Sequence, residues 1–336
     1  MDYRVLGKTG LRVSVIGFGG IPVQRINKEE TIEVINRAQE LGINFIDTAR
    51  GYGNSEILIG EALKGKREKW IIASKTMARD KETMKTDIDK SLTNLNTNYI
   101  DLYQLHNVKT MEDYEKVLSE NGAYAALEEA KITGKVRHIG ITAHSLDMLK
   151  IAVESGKFET IMYPYNIVET QASELFQRAN ELNIGVIAMK PMAGGALTDG
   201  TIAMKFILEN KSITTAIPGM ASTKEVEENA KVGNSFVPLT FEEKEKALKD
   251  ASKLGNEFCR RCGYCAPCHK GIDIPSVFLF SGYKERYNLA TWAEERYHTM
   301  KSSAKDCTEC GACEAKCPYD LPIRKMLKNA RKTFNE

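Results

Sequence analysis

Residues 44–56, NFIDTARGYGNSE, decide how this sequence is interpreted. The segment begins as an apolar strand that ends in the carboxylate of Asp47, and Tyr52 follows five residues later in a loop bounded by glycines. Two later apolar runs end in the same way, since WIIASK (70–75) ends in Lys75 and YIDLYQLH (99–106) ends in His106. Parallel α/β barrels place their active sites at the carboxyl ends of their strands. The pattern therefore predicts that these four side chains meet.

Together the four residues form a set suited to proton transfer. A lysine beside a phenol makes the phenol a better acid, because the ammonium favours phenolate and lowers a pKa that is ordinarily about 10. Asp47 would keep Lys75 charged, and His106 would steer the oxygen that receives the proton. Taken singly, each residue is as consistent with a structural role as with a catalytic one: a helix cap or surface charge for Asp47 or Lys75, and a hydrogen-bonded core histidine for His106. Four of them in order on successive strands favour chemistry.

The residues at these positions resemble the aldo-keto reductase family, and the resemblance extends over residues 3–232. It implies a catalytic tetrad of Asp47, Tyr52, Lys75 and His106 on an (α/β)8 TIM barrel. It also implies hydride transfer between a nicotinamide and a carbonyl, with Tyr52 as the proton donor.

The hydrophobic periodicity predicts the same α/β architecture. Eight strands are predicted, at residues 13–19, 44–48, 70–75, 99–106, 136–142, 160–165, 185–190 and 214–218. Amphipathic helical runs lie between them, and repeated strand–helix units imply a parallel sheet that closes by right-handed crossovers. The predicted domains are the barrel at 1–235, a linker helix at 236–255 and a small, mainly α, ferredoxin-like iron–sulfur domain at 256–336.

The loops after the seventh and eighth strands are the predicted phosphate sites, as is common in such barrels. The first, KPMAGGAL (190–197), offers backbone amides at two glycines, and the second, IPGMASTKEVEEN (217–229), leads into a helix amino terminus. GFGG (17–20) lacks the full Gly-x-Gly-x-x-Gly spacing and is weak evidence for a dinucleotide fold. The candidate cofactor-binding residues are Gly19, Thr142, Asn166, Lys190, Gly194, Gly195, Leu197, Gly219, Glu225, Glu228 and Asn229, of which Glu228 and Asn229 match the adenine contacts of the family that the sequence resembles.

The choice between NADH and NADPH depends on two departures from the family pattern. Members that prefer the phosphorylated cofactor carry basic residues where this sequence has Gly219 and Glu225. A glutamate there would repel a ribose phosphate and accept hydrogen bonds from a free ribose diol. Lys224 is adjacent and offers a substitute charge, so the sequence favours NADH by a narrow margin.

All eight cysteines lie in the carboxyl-terminal part, in two runs of four whose spacers are two residues long, except for the three residues between Cys313 and Cys317. The second run, with a proline after its last cysteine, has the bacterial ferredoxin spacing, in which three thiolates hold one cubane and the fourth binds the other. The spacing predicts two [4Fe-4S] clusters. The predicted ligands are Cys259, Cys262, Cys265 and Cys317 for one cluster, and Cys307, Cys310, Cys313 and Cys268 for the other. Zinc held by paired Cys-x2-Cys units is the alternative.

The composition excludes several classes of protein. A content of 42% hydrophobic and 27% charged residues is typical of a globular protein. The net charge is +2, and no basic run suggests nucleic-acid binding. The amino terminus lacks a secretory signal pattern, and no stretch approaches the roughly 20 apolar residues of a membrane span. We expect a cytoplasmic protein.

Three functions fit the two halves together. The leading one is a nicotinamide-dependent carbonyl reductase or alcohol dehydrogenase, in which the clusters hold or relay electrons. The second is an electron-transfer protein that exchanges electrons with ferredoxin or another redox protein and uses a flavin or radical chemistry in the barrel. The third is a partner-binding protein whose clusters are structural or oxygen-sensing. No convincing flavin site is visible in the sequence.

Overall fold

The computed structural model describes residues 1–197, 199–253, 257–261, 263–317 and 319–336. The chain divides into two compact units. The first comprises Met1–Pro191 and Asp199–Thr240, and the second comprises Met192–Thr198 and Phe241–Glu336. The domain limits at residues 235 and 255 stay predictions.

The first unit is built on an eight-stranded parallel sheet in which each strand pairs with the next along the chain. Its strands are β3 (Phe18–Gly19), β4 (Phe45–Asp47), β5 (Ile71–Thr76), β6 (Ile100–Leu105), β7 (Val136–Thr142), β8 (Thr160–Pro164), β9 (Gly185–Met189) and β10 (Thr215–Ile217). Parallel bridges from Ile16 to Ala216 and from Gly19 to Gly219 join the first strand to the last. The predicted barrel is confirmed.

The predicted strand at residues 13–19 was wrong in its extent. Only Phe18–Gly19 enters the barrel sheet, whereas β2 (Arg12–Ser14) pairs antiparallel with β1 (Tyr3–Val5). The hairpin forms because Val13 and its neighbour Leu6 are apolar and pack in the core cluster that contains barrel-strand residues such as Phe45 and Leu102. Three-residue strands of this kind leave almost no periodic pattern in a sequence.

Nine helices are described in the first unit. They are α1 (Lys28–Glu40), α2 (Ser55–Ala62), α3 (Lys81–Asn94), α4 (Met111–Leu118), α5 (Ala123–Ile132), α6 (Leu146–Glu154), α7 (Ser173–Glu181), α8 (Gly200–Glu209) and α9 (Thr223–Asn234). Helix α1 begins with a capping box in which Asn27 and Glu30 satisfy each other's backbone amides. Helix α2 approaches the end of α3 so closely that a Cβ on Gly60 would lie 2.4 Å from the carbonyl oxygen of Asn94. Only glycine fits at residue 60 without a shift of the backbone.

The second unit is helical, as predicted. Its described helices are α10 (Phe241–Lys253), α11 (Ile274–Arg286), α12 (Ala290–His298), α13 (Ala312–Ala315) and α14 (Ile323–Thr333). Buried apolar residues such as Val277 and Leu327 form its core. Tyr297 stacks on Phe334 with ring centroids 3.7 Å apart, and its hydroxyl donates to Glu336. Among the described helices of the chain, none is long and apolar enough to cross a membrane.

Candidate functional site

The first unit brings the predicted tetrad together at one end of the barrel. Asp47 ends β4, Lys75 is the penultimate residue of β5, and His106 directly follows β6. The Lys75 ammonium donates to Oδ2 of Asp47 at 2.5 Å and to the carbonyl of Thr48 at 2.9 Å. Asp47 is 3% exposed and Lys75 is 1% exposed, so this ion pair is buried.

Tyr52 covers the buried pair. The Lys75 ammonium nitrogen lies 4.9 Å from the centroid of the Tyr52 ring. The imidazole of His106 meets the same ring edge to face, with centroids 6.0 Å apart. Both Tyr52 and His106 are half-buried.

Burial dominates the electrostatics of the tetrad. It raises the pKa of Asp47 and lowers the pKa of Lys75, while the attraction between the two groups opposes both changes. Burial also lowers the pKa of His106 well below its usual value, an effect that the charges of Lys75, Arg79 and Lys190 reinforce. The His106 ring is therefore neutral near pH 7. Its Nδ1 is buried and has no hydrogen-bond partner among the described residues.

The sequence interpretation missed a buried carboxylate that supports the Tyr52 loop. Glu56, in the first turn of α2, is 2% exposed. It accepts hydrogen bonds from Ser74 of β5 and Ser91 of α3, both at 2.7 Å, and pairs with Arg50 at 2.7 Å. Arg50 lies two residues before Tyr52, so Glu56 joins that loop to the barrel wall. The apolar residues around Glu56 in the sequence gave no sign of this role.

A second missed residue is Arg79, which follows β5 and holds the chain around His106. Its guanidinium donates to the carbonyls of His106 at 3.0 Å and Asn107 at 2.9 Å, and it lies 3.5 Å from a carboxylate oxygen of Asp113. Asn107 in turn donates its backbone amide to Oγ1 of Thr142. Arg79 and Thr142 thus fix the backbone that presents His106.

Several predicted cofactor residues lie at the carboxyl ends of strands in the first unit. Gly19 bridges to Gly219 where the barrel closes. Asn166 is fully buried, and its Nδ2 donates to Glu169 at 2.9 Å and to the carbonyl of Lys190 at 3.0 Å. Its Oδ1 accepts from the backbone amide of Val168 at 3.0 Å, so each polar atom of this amide has a partner within the first unit.

The predicted adenosine residues cluster at the first turns of α9. Glu225 accepts from the amides of Ala221 at 2.7 Å and Ser222 at 3.1 Å, in a capping box. Asn229 donates to the carbonyl of Glu225, while Glu228 is exposed with Lys224 nearby at 3.9 Å. The carboxylate of Glu225 is thus committed to the helix end. The Ser-x-x-Glu pattern in the sequence carried this signal.

The glycine loop after β9 belongs to the second unit. Gly194 and Gly195 both have positive φ, at 69° and 75°. Leu197 donates its amide to the carbonyl of Met192, which closes the turn. Within the second unit, the carbonyl of Gly194 accepts from Nε of Arg286 at 3.1 Å.

The two cysteine runs share one backbone geometry. In the first run, Arg261 has φ 58° and donates its amide to Sγ of Cys259 at 3.4 Å. In the second, Glu309 has φ 56° and donates to Sγ of Cys307 at 3.4 Å. A glycine of positive φ follows the next cysteine in each run, Gly263 and Gly311. Amides that point at sulfur are the polar surroundings that tune an iron–sulfur cluster.

Five of the eight cysteines line one small cavity of about 90 Å³ in the second unit: Cys265, Cys268, Cys307, Cys310 and Cys313. Four of these are the predicted ligands of one cluster. Cys259 and Cys317 do not line it, and Cys262 lies outside the described residues. None of the seven described cysteines is in a disulfide. Within the described ranges, no three His, Cys, Asp or Glu side chains converge on one metal ion, whereas the thiolates of a cubane surround a cluster of several irons.

Two family models match the chain. The model of the aldo/keto reductase family matches residues 15–202, which contain all four residues of the tetrad. The model of a 4Fe-4S dicluster domain matches residues 258–322, which contain all eight cysteines.

Individual proteins give the same picture. L-galactose dehydrogenase from Arabidopsis thaliana is 28% identical over 281 residues, which are 68% of this chain and 87% of that protein. The NADH-specific methylglyoxal reductase of Escherichia coli (strain K12) is 29% identical over 226 residues, 60% of this chain and 68% of its own. The solved structure of an aldo-keto reductase from Bacillus halodurans in its holo form superposes with a TM-score of 0.63 at 28% identity, covering 74% of this chain and 96% of that one.

Proposed function

The chain belongs to the aldo/keto reductase family and carries a 4Fe-4S dicluster domain, and from this premise we propose that it reduces a carbonyl, or oxidises an alcohol, with a nicotinamide cofactor. The observation that carries the proposal is the packing of Tyr52 over the buried Lys75–Asp47 pair with His106 at its edge. A bound nicotinamide supplies or accepts the hydride.

Tyr52 donates the proton to the substrate oxygen in the reducing direction. The ammonium of Lys75 faces the Tyr52 ring, so it stabilises the phenolate that remains after proton transfer. Asp47 fixes the position of that ammonium through a 2.5 Å hydrogen bond. His106 is neutral, because burial lowers its pKa, and a neutral imidazole can donate a hydrogen bond to the substrate oxygen without adding charge.

The residues of the first unit that would hold the nicotinamide nucleotide are Gly19, Thr142, Asn166, Lys190, Gly219, Glu225, Glu228 and Asn229. The unpartnered Nδ1 of His106 fits a polar ligand. We propose NADH as the preferred cofactor. Glu225 caps α9, yet its negative charge stays at the helix end and disfavours a ribose phosphate there.

The second unit would hold two [4Fe-4S] clusters. Its proposed ligand sets are Cys259, Cys262, Cys265 and Cys317 for one cluster, and Cys268, Cys307, Cys310 and Cys313 for the other. The shared cavity of the last four residues supports the second set. The clusters hold electrons or relay them to a redox protein such as ferredoxin, since a cubane passes single electrons.

The names of the relatives suggest the first substrates. Methylglyoxal is a small ketoaldehyde, and L-galactose is a sugar that a dehydrogenase oxidises, so the two compounds test both directions of the reaction. The expected substrate is a small carbonyl or alcohol, because Tyr52 and His106 lie side by side and can both bond to the oxygen of one such group.

The test is anaerobic turnover of methylglyoxal with NADH by the cluster-loaded protein, compared between the wild type and Tyr52→Phe. General acid catalysis contributes about a hundredfold or more, so we expect kcat to fall by at least that factor. Tyr124→Phe is the matched control, because its hydroxyl bonds the carbonyl of Lys157 away from the tetrad. Equal kcat in the wild type and Tyr52→Phe would remove Tyr52 as the proton donor. Turnover driven by reduced ferredoxin without a nicotinamide would favour the electron-transfer function.

A further inference from the structure

The second unit contains a cavity that the proposed hydride chemistry does not use. It has a volume of about 250 Å³ and lies among the first cysteine loop, α11 and α14. Cys259 lines it, but Cys265 and Cys317, the other described residues of the proposed ligand set, do not. The cavity is therefore beside that cluster position rather than the cluster's own space.

Two arginines line this cavity, Arg261 and Arg286. Arg286 donates its Nε to the carbonyl of Gly194 at 3.1 Å, which fixes the plane of its guanidinium. Within the described part of the chain, no carboxylate lies at ion-pair distance from Arg286, and the side chain is exposed to an arriving ligand. Arg261 is tethered in a similar way, since its Nη1 donates to the carbonyl of Cys259 at 3.1 Å.

The guanidinium of Arg286 lies against a glycine of its own helix. A Cβ added to Gly282 would lie 2.4 Å from Nη2 of Arg286, so the guanidinium rests against the bare backbone of α11. Glycine in a helix interior is less favourable than alanine. The absence of a side chain at residue 282 creates the space that this guanidinium occupies.

A buried hydroxyl completes the set of donors. Ser281 also lines the cavity and is 9% exposed. Its Oγ is buried and has no hydrogen-bond partner among the described residues, which costs stability unless a ligand or water satisfies it.

Two carboxylates line the cavity as well, but both are engaged. Glu257 forms an ion pair with Lys325, and Glu285 accepts a hydrogen bond from Thr333. Neither is within ion-pair distance of the cavity arginines among the described contacts. The unmatched groups of the cavity are therefore donors: a guanidinium of Arg286 and the hydroxyl of Ser281.

We propose that this cavity binds a phosphate or diphosphate group through Arg261, Arg286 and Ser281. Guanidinium groups match phosphate oxygens in paired hydrogen bonds, and a hydroxyl adds a third donor. The volume is below that of pockets for drug-sized ligands and suits a diphosphate. The group belongs either to a dinucleotide or to a separate phosphorylated compound. Because Cys259 lines the same cavity, the bound anion would lie beside the cluster that Cys259 holds.

The test is calorimetric titration of inorganic pyrophosphate into the anaerobic, cluster-loaded full-length protein. We expect Arg286→Gln to weaken binding about tenfold to a hundredfold, as the loss of charge-assisted hydrogen bonds requires, and Ser281→Ala to weaken it severalfold. Gly282→Ala should weaken binding as well, because it displaces the guanidinium while keeping its charge. Arg331→Gln is the matched control, since Arg331 lies on α14 but does not line the cavity.

Iron content and the visible absorption of the clusters report whether each variant is folded. If Arg286→Gln does not fold, Gly282→Ala still tests the role of the guanidinium. A repeat with saturating NADH separates the two sources of phosphate: competition assigns the site to the dinucleotide, and unchanged affinity assigns it to a separate phosphorylated compound. No binding by the wild type, or equal weakening by Arg286→Gln and Arg331→Gln, would overturn the proposal. Because pyrophosphate binding is measured without turnover, its failure leaves the proposed reductase function unaffected.

Discussion

Replacing Lys75 by methionine tests the buried ion pair on which the proposed chemistry rests. Asp47 then loses its 2.5 Å partner and keeps the 3.3 Å hydrogen bond from Gln104. Removing one member of a buried pair typically costs about 3–5 kcal/mol, because the remaining charge is desolvated and uncompensated. We expect Lys75→Met to lower the free energy of unfolding of the barrel by about that amount and to abolish turnover.

The pH dependence of this loss has a defined sign. Burial raises the pKa of Asp47, and Lys75 is the group that opposes the rise. In Lys75→Met the folded-state pKa of Asp47 is therefore raised further above its unfolded value. A group of this kind contributes stability at low pH that is lost as the pH rises through its folded-state pKa. The deficit relative to wild type should be smaller at about pH 5 than at about pH 8.

Urea unfolding in a Trp292→Phe background measures this deficit, since Trp70 is then the only tryptophan and is buried in the first unit. The double variant Asp47→Asn/Lys75→Met should recover more than half of the lost stability, because no buried charge remains, but it should stay inactive. A deficit under about 1 kcal/mol, or one that is the same at both pH values, would refute the reasoning.

Three further predictions concern other parts of the chain. Burial alone would raise the pKa of Glu159, but hydrogen bonds from His138 and a lysine lower it to about 2. The stability that this carboxylate contributes above its unfolded pKa is therefore lost as the pH falls. Glu159→Gln should flatten the decline of the free energy of unfolding between about pH 5 and about pH 3. Cys268→Ala should reduce the iron content from about eight to about four per chain by colorimetric assay, as loss of one cubane requires; unchanged iron would remove Cys268 as a ligand. Gly60→Ala should lower the melting temperature, since overpacking against the carbonyl of Asn94 costs about 1–3 kcal/mol. Gly65 has open space around it but cannot serve as the control, because its φ of 72° strains any alanine placed there.

The sequence was sufficient for the barrel because its strands are apolar runs of regular spacing and its polar side chains follow them directly. Asp47, Lys75 and His106 meet for that reason alone, since strand ends of a parallel sheet lie on one face. The cysteine spacing was equally informative, because runs of cysteines with short spacers fit few metal centres other than iron–sulfur clusters. The match to a dicluster domain over residues 258–322 confirms that interpretation at the level of the domain.

The features that escaped prediction depend on contacts between distant residues. Glu56 accepts hydrogen bonds from Ser74 and Ser91, which lie 18 and 35 positions away in the sequence. A single glutamate in an apolar helix gives no indication of such distant partners. The pairing of Arg12–Ser14 with Tyr3–Val5 depends on a three-residue register that periodicity cannot detect. Glu225 was interpreted as a residue that faces the ribose, whereas the Ser222 capping box determines where its carboxylate lies.

The most direct test of the central claim follows the hydride itself. Methylglyoxal is reduced anaerobically by the cluster-loaded protein with NADH that carries deuterium at both C4 positions, and the alcohol product is analysed by mass spectrometry. Direct hydride transfer within the barrel predicts one deuterium on the former carbonyl carbon of every product molecule, and product formation slowed about a hundredfold or more in Tyr52→Phe. Product without deuterium would mean that the electrons pass through a flavin or the clusters and that the hydride is lost to solvent, which would contradict the account.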